Sequence, residues 1–179
     1  MIGTGAERVQ AIVQSLRSFA RLDEAELKSV NINDGLTDTL RLVQHNLADR
    51  IEVITDLAAI DPIICYPSRL NQVFLCMLDN AIAAIEDRGR IEISTRREDD
   101  RLYVVIKDSG IGIPEENLER IFQPGFTTKG VGVGTGLGLS ICHQILREHG
   151  GEIEVESKPG EGATFTTILS YEFSGFGLA

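Results

Sequence analysis

The 179-residue chain has few cysteines, no long apolar run and fewer basic than acidic residues. No apolar run approaches the roughly 18 residues of a membrane-spanning helix, and no signal peptide is recognisable. Cys65, Cys76 and Cys142 are odd in number, lack a C-x-x-C spacing and lie in apolar runs. This pattern favours buried, reduced thiols in a cytosolic protein over a redox or metal role.

The shortage of basic residues restricts the partners of the chain. The formal net charge is -10 and the pI is about 4.8. Nucleic acid and anionic membranes would repel such a protein rather than attract it, although a locally basic pocket is compatible with the composition. We therefore expect no nucleic-acid partner.

Two common nucleotide-binding motifs are also missing. Neither G-x-G-x-x-G nor G-x-x-x-x-G-K-[ST] occurs, which excludes the dinucleotide fingerprint and the Walker loop. Residues 130–140 nevertheless read GVGVGTGLGLS. Both a flexible loop tip and a phosphate cradle are compatible with this run, because glycine also lets backbone N–H groups approach an anion closely.

Hydrophobic spacing predicts an N-terminal helix followed by an α+β domain. Apolar residues recur at helical spacing between residues 6 and 23, and we assign 6–29 to this helix and a charged linker. Residues 30–172 are predicted to form a two-layer α/β sandwich, with a mixed sheet and three main helices on one face. The predicted strands are 30–32, 51–57, 62–66, 89–98, 101–108, 152–157 and 163–170, and the predicted helices are 33–47 capped by Asn33 or Asp34, 67–86, 114–122 and 137–148.

Asn80 interrupts the apolar pattern of the predicted helix LDNAIAAI. A buried amide without a partner costs about 1–3 kcal/mol, so the residue needs an explanation. It is either an ordinary structural or exposed amide, or an oxygen ligand for a hard cation such as magnesium.

Asp108 ends a strand and begins the segment DSGIGIP. An Asx-turn at a strand end would account for it. Alternatively, its carboxylate accepts a hydrogen bond from the exocyclic amine of adenine, where guanine has a carbonyl that would repel it.

The glycine-rich run lies between the segment FTTK (126–129) and a predicted helix. Backbone N–H groups at a helix start, with the positive end of the helix dipole, suit a phosphate chain. Lys129 adds a positive charge, and Thr127 and Thr128 add hydroxyl groups.

In this order, these segments resemble the ATP-binding catalytic domain of sensor histidine kinases. That domain belongs to the GHKL, or Bergerat-fold, ATPase family, which also includes gyrase B, ATP-driven chaperones and mismatch-repair ATPases. NQVFLCMLDNAIAAI is similar to the family's N box, DSGIGIP to its first glycine box, IFQPGFTTK to its F box and GTGLGLS to its second glycine box. The resemblance covers residues 30–170 and implies the Bergerat fold, with a lid over about 123–136 that closes over phosphates.

The resemblance also implies ATP and Mg²⁺ as ligands and assigns roles to single residues. Asn80 would hold the metal ion, Lys129 the phosphates and Asp108 the adenine, with Asn80 and Lys129 counted as catalytic. The full implied nucleotide site is Asn80, Asp108, Gly110, Gly112, Ile113, Phe126, Thr127, Thr128, Lys129, Gly134, Thr135, Gly136, Leu137 and Gly138.

Cys76 departs from the family pattern. Four residues before the metal-binding Asn, the kinases usually carry Asn and the ATPases carry a Glu that activates water. A thiol cannot act as a carboxylate base, which favours a kinase over a hydrolysing ATPase. The alternatives are a GHKL-type ATPase and a non-catalytic adenine-nucleotide-sensing module.

The resemblance further implies a two-component system and its partners. Residues 6–23 resemble the second helix of a dimerisation and phosphoacceptor domain, through which a homodimer would form. The phosphoacceptor histidine is expected before the start of this sequence, because none of His45, His143 and His149 fits that role; His149 is expected to be an imidazolium at a helix C-terminus. The expected partners are that domain and a response regulator. The expected location is the cytoplasm, and the full-length protein could also carry a membrane anchor.

Overall fold

Seven strands and four helices account for the part of the chain that the structure describes. The structure is a computed structural model that describes residues 26–128 and 135–172. The predicted helix at 6–23, Lys129 and Gly134 lie outside the described residues. The elements are β1 (Lys28–Val30), α1 (Ile32–Leu47), a 3-10 turn (Ala48–Arg50), β2 (Ile51–Leu57), β3 (Ile63–Cys65), α2 (Pro67–Ala84), β4 (Gly89–Glu98), β5 (Arg101–Asp108), α3 (Glu115–Leu118), α4 (Gly138–Glu148), β6 (Glu152–Lys158) and β7 (Gly162–Ser170).

A five-stranded mixed sheet forms one layer of the domain. Its strand order is β2-β4-β5-β7-β6, in which β2 runs parallel to β4 and the other neighbours are antiparallel. Along β4 and β5, buried side chains alternate with more exposed ones, as expected for a sheet covered on one face. Strands β1 and β3 form a separate two-stranded antiparallel sheet.

Helices α1, α2 and α4 form the second layer, and their apolar faces share one core with the sheet. Leu36 of α1, Phe74 of α2 and Leu146 of α4 are fully buried in this core. The same core contains sheet residues such as Ile93 and Val104, which are also buried. This arrangement confirms the predicted two-layer α+β sandwich.

The start of α1 differs from the prediction, which placed the cap at Asn33 or Asp34. The cap is Asn31, whose Oδ1 accepts a hydrogen bond from the backbone N–H of Asn33 at 2.9 Å. Asn33 instead connects the helix to its surroundings, since its amide bonds to Ala58 O and to the hydroxyl of Thr95. The strand predicted at 30–32 accordingly ends at Val30.

Two other predicted helices are shorter in the structure. Helix α2 ends at Ala84 rather than at residue 86, because the side chain of Arg50 donates to the carbonyl oxygens of Ile85 and Ile82 and closes the C-terminus. The helix predicted at 114–122 is only the short α3, after which residues 119–125 form turns.

Among the described residues, no helix is both long enough and apolar enough to cross a membrane.

His149 contradicts the imidazolium expected at the end of α4. Its side chain is buried, and Nδ1 lies 2.7 Å from Ile145 O. Its Nε2 accepts a hydrogen bond from the backbone N–H of Tyr66 at 3.1 Å. Burial lowers the pKa of the imidazole, so the ring is neutral and connects α4 to the start of α2.

Candidate functional site

The C-terminal end of α2 brings the first two predicted motifs together. The carbonyl oxygen of Ala84 accepts a hydrogen bond from the backbone N–H of Ile111 at 3.0 Å. A Cβ atom at Gly110 would lie 2.5 Å from the same oxygen, so only glycine allows the DSGIGIP segment to approach this closely. Asp108 and Asn80 therefore border one cavity.

Asp108 is held in position by two backbone groups. Its Oδ1 accepts hydrogen bonds from the N–H of Gly110 at 2.8 Å and from the N–H of Ala163 at 3.3 Å. The side chain is only 3% exposed, and this burial raises the pKa of the carboxyl group. No described residue donates to Oδ2, which leaves one carboxylate oxygen for a ligand in the cavity.

The turn between β6 and β7 supports the same segment from the other side. Gly160 N–H donates to Ile111 O at 2.7 Å, and Ile113 N–H donates to the hydroxyl of Ser157 at 2.8 Å. Gly112 has a φ of 73°, and a Cβ atom there would lie 2.0 Å from Lys158 O. The turn thus fixes one wall of the cavity.

The cavity has a volume of about 530 Å³, which lies in the range of small-molecule sites. Its walls are mainly apolar, and its polar groups include the side chains of Asn80 and Asp108. The lining residues are Asn80, Ala83, Ala84, Asp108, Ile111, Gly112, Ile113, Pro114, Asn117, Ile121, Phe126, Thr127, Thr128, Leu139, Pro159, Ala163 and Phe165.

Asn80 lies on α2 at the edge of this cavity and is half-buried. Its Nδ2 donates a hydrogen bond to the thiol sulfur of Cys76, one turn earlier, at 3.7 Å. Because the amide nitrogen is engaged in this way, Oδ1 is the atom that can serve a ligand. An amide oxygen of this kind is suited to a hard cation.

The start of α4 lies next to this part of α2. A Cβ atom at Gly138 would lie 2.8 Å from the sulfur of Cys76, so the absence of a side chain permits the contact. No side chain caps the helix at Leu137, which leaves its first N–H groups for an external acceptor. Upstream, Gly136 O accepts a hydrogen bond from the N–H of Gly125.

Most of the predicted site residues within the described ranges lie together. Seven of them line the cavity directly, and an eighth, Gly110, holds the carboxylate of Asp108. The seven are Asn80, Asp108, Gly112, Ile113, Phe126, Thr127 and Thr128. The guanidinium of Arg120 covers the ring of Phe126, 4.6 Å from its centre. Four predicted residues do not line the cavity and instead form or precede the start of α4: Thr135, Gly136, Leu137 and Gly138.

Sequence reasoning missed several lining residues. Ala83 and Ala84 follow Asn80 by one helical turn, so the helix period could have identified them. No local signal marks Pro159, Ala163 and Phe165, which reach the cavity through the pairing of β7 with β5 and the turn before it. Asn117 is a further polar residue of the wall.

Comparison with known proteins identifies the family of this domain. A family model described as "Histidine kinase-, DNA gyrase B-, and HSP90-like ATPase" matches residues 65–172. The chain belongs to this family. The matched range contains both Asn80 and Asp108, and the structure has the fold predicted from the resemblance.

Curated relatives narrow the family to sensor histidine kinases. The chain is 39% identical to the sensor histidine kinase ZraS of Klebsiella oxytoca over 169 residues, covering 92% of this chain and 36% of ZraS. It is 39% identical to the signal transduction histidine-protein kinase AtoS of Escherichia coli, covering 91% of this chain and 27% of AtoS. The chain thus carries the ATPase domain of two-component sensor kinases and spans about a third of the length of these relatives.

Solved structures agree with the relatives. The catalytic domain of the histidine kinase ThkA superposes with a TM-score of 0.74 at 33% identity, covering 82% of this chain and 96% of that domain. Full-length ShkA in complex with AMPPNP gives a TM-score of 0.81 at 25% identity, covering 96% of this chain and 37% of ShkA. The domain described above is therefore a Bergerat fold of the kinase type.

Proposed function

We propose that this chain binds Mg-ATP and transfers the γ-phosphoryl group to a histidine on a dimerisation and phosphoacceptor domain. The observation that carries the proposal is the buried carboxylate of Asp108, which faces a cavity of nucleotide size with one oxygen held by backbone N–H groups. A buried acceptor of this kind requires a donor from its ligand. The six-amino group of adenine supplies one.

The apolar part of the cavity suits the purine ring. Ile111, Ile113 and Ala163 line it close to Asp108, and a planar aromatic ring buries well against such side chains. Guanine would place a carbonyl oxygen against Oδ2 and leave the carboxylate without a donor. The site is therefore proposed to select adenine over guanine nucleotides.

The phosphate chain is proposed to extend toward Asn80 and the start of α4. The uncapped N–H groups of α4 and its dipole favour an anion. Thr127 and Thr128 line this cavity and can donate from their hydroxyl groups. Lys129 and Gly134 are also proposed to contact the phosphates, and Lys129 would add a positive charge.

The residues present fit a magnesium ion bound with the nucleotide. Magnesium in such sites takes one or two protein oxygens and completes its shell with phosphates and water. The described residues hold no cluster of three or more His, Cys, Asp or Glu side chains, whereas the Oδ1 atom of Asn80 is a single hard ligand at the edge of the cavity. When bound, the ion neutralises phosphate charge, and the role of the chain is to position the nucleotide.

The proposed partners follow from the relatives. ThkA has been solved in complex with the response regulator protein TrrA, in a structure that superposes on 94% of this chain with a TM-score of 0.76. By analogy, a response regulator and a phosphoacceptor domain are proposed partners here. Residues 6–29 are proposed to belong to the dimerisation helix, and 30–172 to form the catalytic domain of a cytoplasmic kinase module.

Calorimetry and phosphotransfer test the proposal in two steps. The 179-residue chain should bind ATP and ADP in the presence of magnesium, and bind GTP much more weakly. With the phosphoacceptor helices of ZraS supplied in trans or fused upstream, γ-labelled ATP should yield an acid-labile, base-stable phosphohistidine. Equal affinity for GTP would overturn the adenine assignment, and binding without transfer to any relative's phosphoacceptor domain would favour a nucleotide-sensing module.

A further inference from the structure

Two cysteine side chains lie in the contact between α2 and α4. The thiol of Cys142 donates a weak hydrogen bond to the carbonyl oxygen of Val73 on α2, with its sulfur 3.9 Å from that oxygen. From the other side, the sulfur of Cys76 lies against Gly138, one turn before Cys142 on α4. Val73 precedes Cys76 by about one turn of α2, so Cys142 is placed against this face of the helix. All three cysteines of the chain are free thiols.

The pair is coupled to the proposed metal ligand. The sulfur of Cys76 accepts the hydrogen bond from Asn80 Nδ2 that orients the amide. The same sulfur lies against Gly138, the first residue of α4. Cys76 therefore touches both groups that the proposed phosphate site uses, the amide of Asn80 and the start of α4.

We propose that Cys76 and Cys142 form an oxidant-sensitive modification site, at which a peroxide converts the two thiols into a disulfide that disturbs the phosphate end of the nucleotide site. This inference rests on the proposed function for its effect on ATP, but not for the oxidation itself. The resemblance assigns a role to neither thiol. The sequence pattern favoured buried, reduced thiols, but Cys76 is only half-buried and lies in the same α2–α4 contact as Cys142.

The chemistry needs only the two thiols and one molecule of hydrogen peroxide. The half-buried Cys76 reacts first, because the peroxide can reach it: its sulfur attacks one peroxide oxygen, the O–O bond breaks, and a sulfenic acid and water form. The sulfur of Cys142 then attacks the sulfenic sulfur, the S–O bond breaks, and a second water leaves. Together the two thiols lose two electrons and two hydrogens, and one hydrogen peroxide molecule is reduced to two water molecules.

The disulfide changes the geometry around Asn80. An S–S bond of about 2.0 Å is much shorter than a contact between thiols, so the sulfur of Cys76 must turn toward α4. The hydrogen bond from Asn80 Nδ2 is then weakened or lost, and the contact with Gly138 is compressed. A loosened Asn80 should weaken Mg-ATP binding about five- to 100-fold, the range expected for one lost polar contact.

Cys65 provides the matched control. It lies on β3, is fully buried, and this burial raises the pKa of its thiol to about 11. Like Cys142, whose pKa is raised by the neighbouring Cys76 thiol and by burial, Cys65 does not react with peroxide directly. Unlike Cys142, it lies on β3, before α2 begins, and not in the contact between α2 and α4 that contains Cys76. The Cys65→Ala variant should therefore respond to peroxide as the wild-type chain does, whereas Cys142→Ala should form no internal disulfide.

Tryptic mapping reads the modification without any nucleotide. Cleavage after arginine and lysine places the three cysteines in separate peptides, 51–69, 70–88 and 130–147. After peroxide treatment, 70–88 should be joined to 130–147, and a reductant should separate them. Sulfinic acid on Cys76 with Cys142 still free, or disulfides only between two chains, would overturn the proposal. Because these outcomes are read from the wild-type chain, the test holds even if Cys142→Ala proves unstable.

Calorimetry then tests the coupling on the same samples. Oxidised wild-type chain should bind Mg-ATP more weakly, bind adenosine unchanged, and recover its Mg-ATP affinity on reduction. A mapped disulfide with unchanged Mg-ATP affinity would overturn the coupling. If the reduced chain binds no ATP at all, the proposed function fails, while the peptide map still decides whether the thiol pair is oxidised.

Discussion

The Nε2 atom of His149 accepts a hydrogen bond from the backbone N–H of Tyr66, immediately before α2. The other ring nitrogen bonds with Ile145 O, so both positions of the neutral imidazole are used. Protonation would place a hydrogen on Nε2, so that two N–H donors, one from His149 and one from Tyr66, would face each other. The helix that carries Asn80 is thus connected to the end of α4 through a group that can titrate.

Stability should fall with acidification because of His149. Burial, as the main cause, and the nearby Arg69 lower its pKa below 6.5, whereas Glu148 and the bond to Ile145 oppose this. Between the lowered pKa and 6.5, the unfolded chain binds more protons than the folded chain, so the free energy of unfolding rises with pH. The contribution is complete above 6.5 and is lost as the pH falls toward the folded-state pKa.

Urea unfolding from about pH 5 to 8 measures this contribution, at about 1.4 kcal/mol for each pKa unit of lowering. His149→Gln keeps an acceptor for Tyr66 but does not titrate, so the pH dependence should flatten relative to wild type. His143→Gln, an exposed position on the same helix, serves as the control. Identical pH profiles for wild type and His149→Gln would show that the imidazole is not a neutral buried acceptor.

Asp108→Asn should separate adenine recognition from folding. The amide oxygen of asparagine can keep the hydrogen bonds from Gly110 and Ala163, while its NH2 group replaces the oxygen that faces the cavity. Two donors would then face each other, and ATP affinity should fall about 10- to 150-fold, as for a lost hydrogen bond to a charged group. Calorimetry with ATP and GTP measures the change, and an unaltered preference for ATP would exclude Asp108 from base recognition.

Asn80→Ala should remove most of the magnesium dependence of ATP binding. The variant lacks the proposed ion ligand but leaves the apolar wall and Asp108 intact. Adenosine, which has no phosphates, should bind equally well to both forms and serves as the internal control. Titrations with and without magnesium test this, and full magnesium dependence in the variant would assign Asn80 to ordinary structural hydrogen bonding.

Gly112→Ala should be more destabilising than Gly160→Ala. Both glycines have similar positive φ angles, 73° and 80°, but of the two only Gly112 would bring a Cβ atom against backbone, at Lys158 O. Backbone strain alone costs about 1–2 kcal/mol, and the collision should raise the loss at Gly112 to about 3 kcal/mol or more. Equal urea midpoints for the two variants would contradict the close contact of this segment with the β6–β7 turn.

The 179-residue chain alone should not label itself with γ-labelled ATP. His149 is buried with both nitrogens engaged. His143 lies on α4, and its ring centre is 5.8 Å from that of Phe122 within the same domain. His45 is exposed but lies in the last turn of α1, on a helix of the same core. Stoichiometric phosphohistidine mapped to any of the three would contradict the proposed need for a separate phosphoacceptor domain.

The order of elements and the position of Asp108 were predictable because their causes are local. The alternation of β5 places Asp108 at a strand end, and Pro67 starts α2 where the helical period begins. Asn80 likewise stands out from the sequence alone, as an amide within an apolar helical repeat. These features depend on neighbours within a few residues along the chain.

Tertiary structure alone decided which distant groups meet. Pro159 reaches the cavity through the turn between β6 and β7, and Ala163 through the start of β7. Cys142 reaches the face of α2 that carries Cys76 only because α4 packs on α2. The sequence pattern even predicted the wrong charge for His149, since a helix C-terminus favours an imidazolium, whereas burial against Tyr66 favours the neutral ring. Desolvation and long-range contacts are set by packing, and no local pattern encodes them.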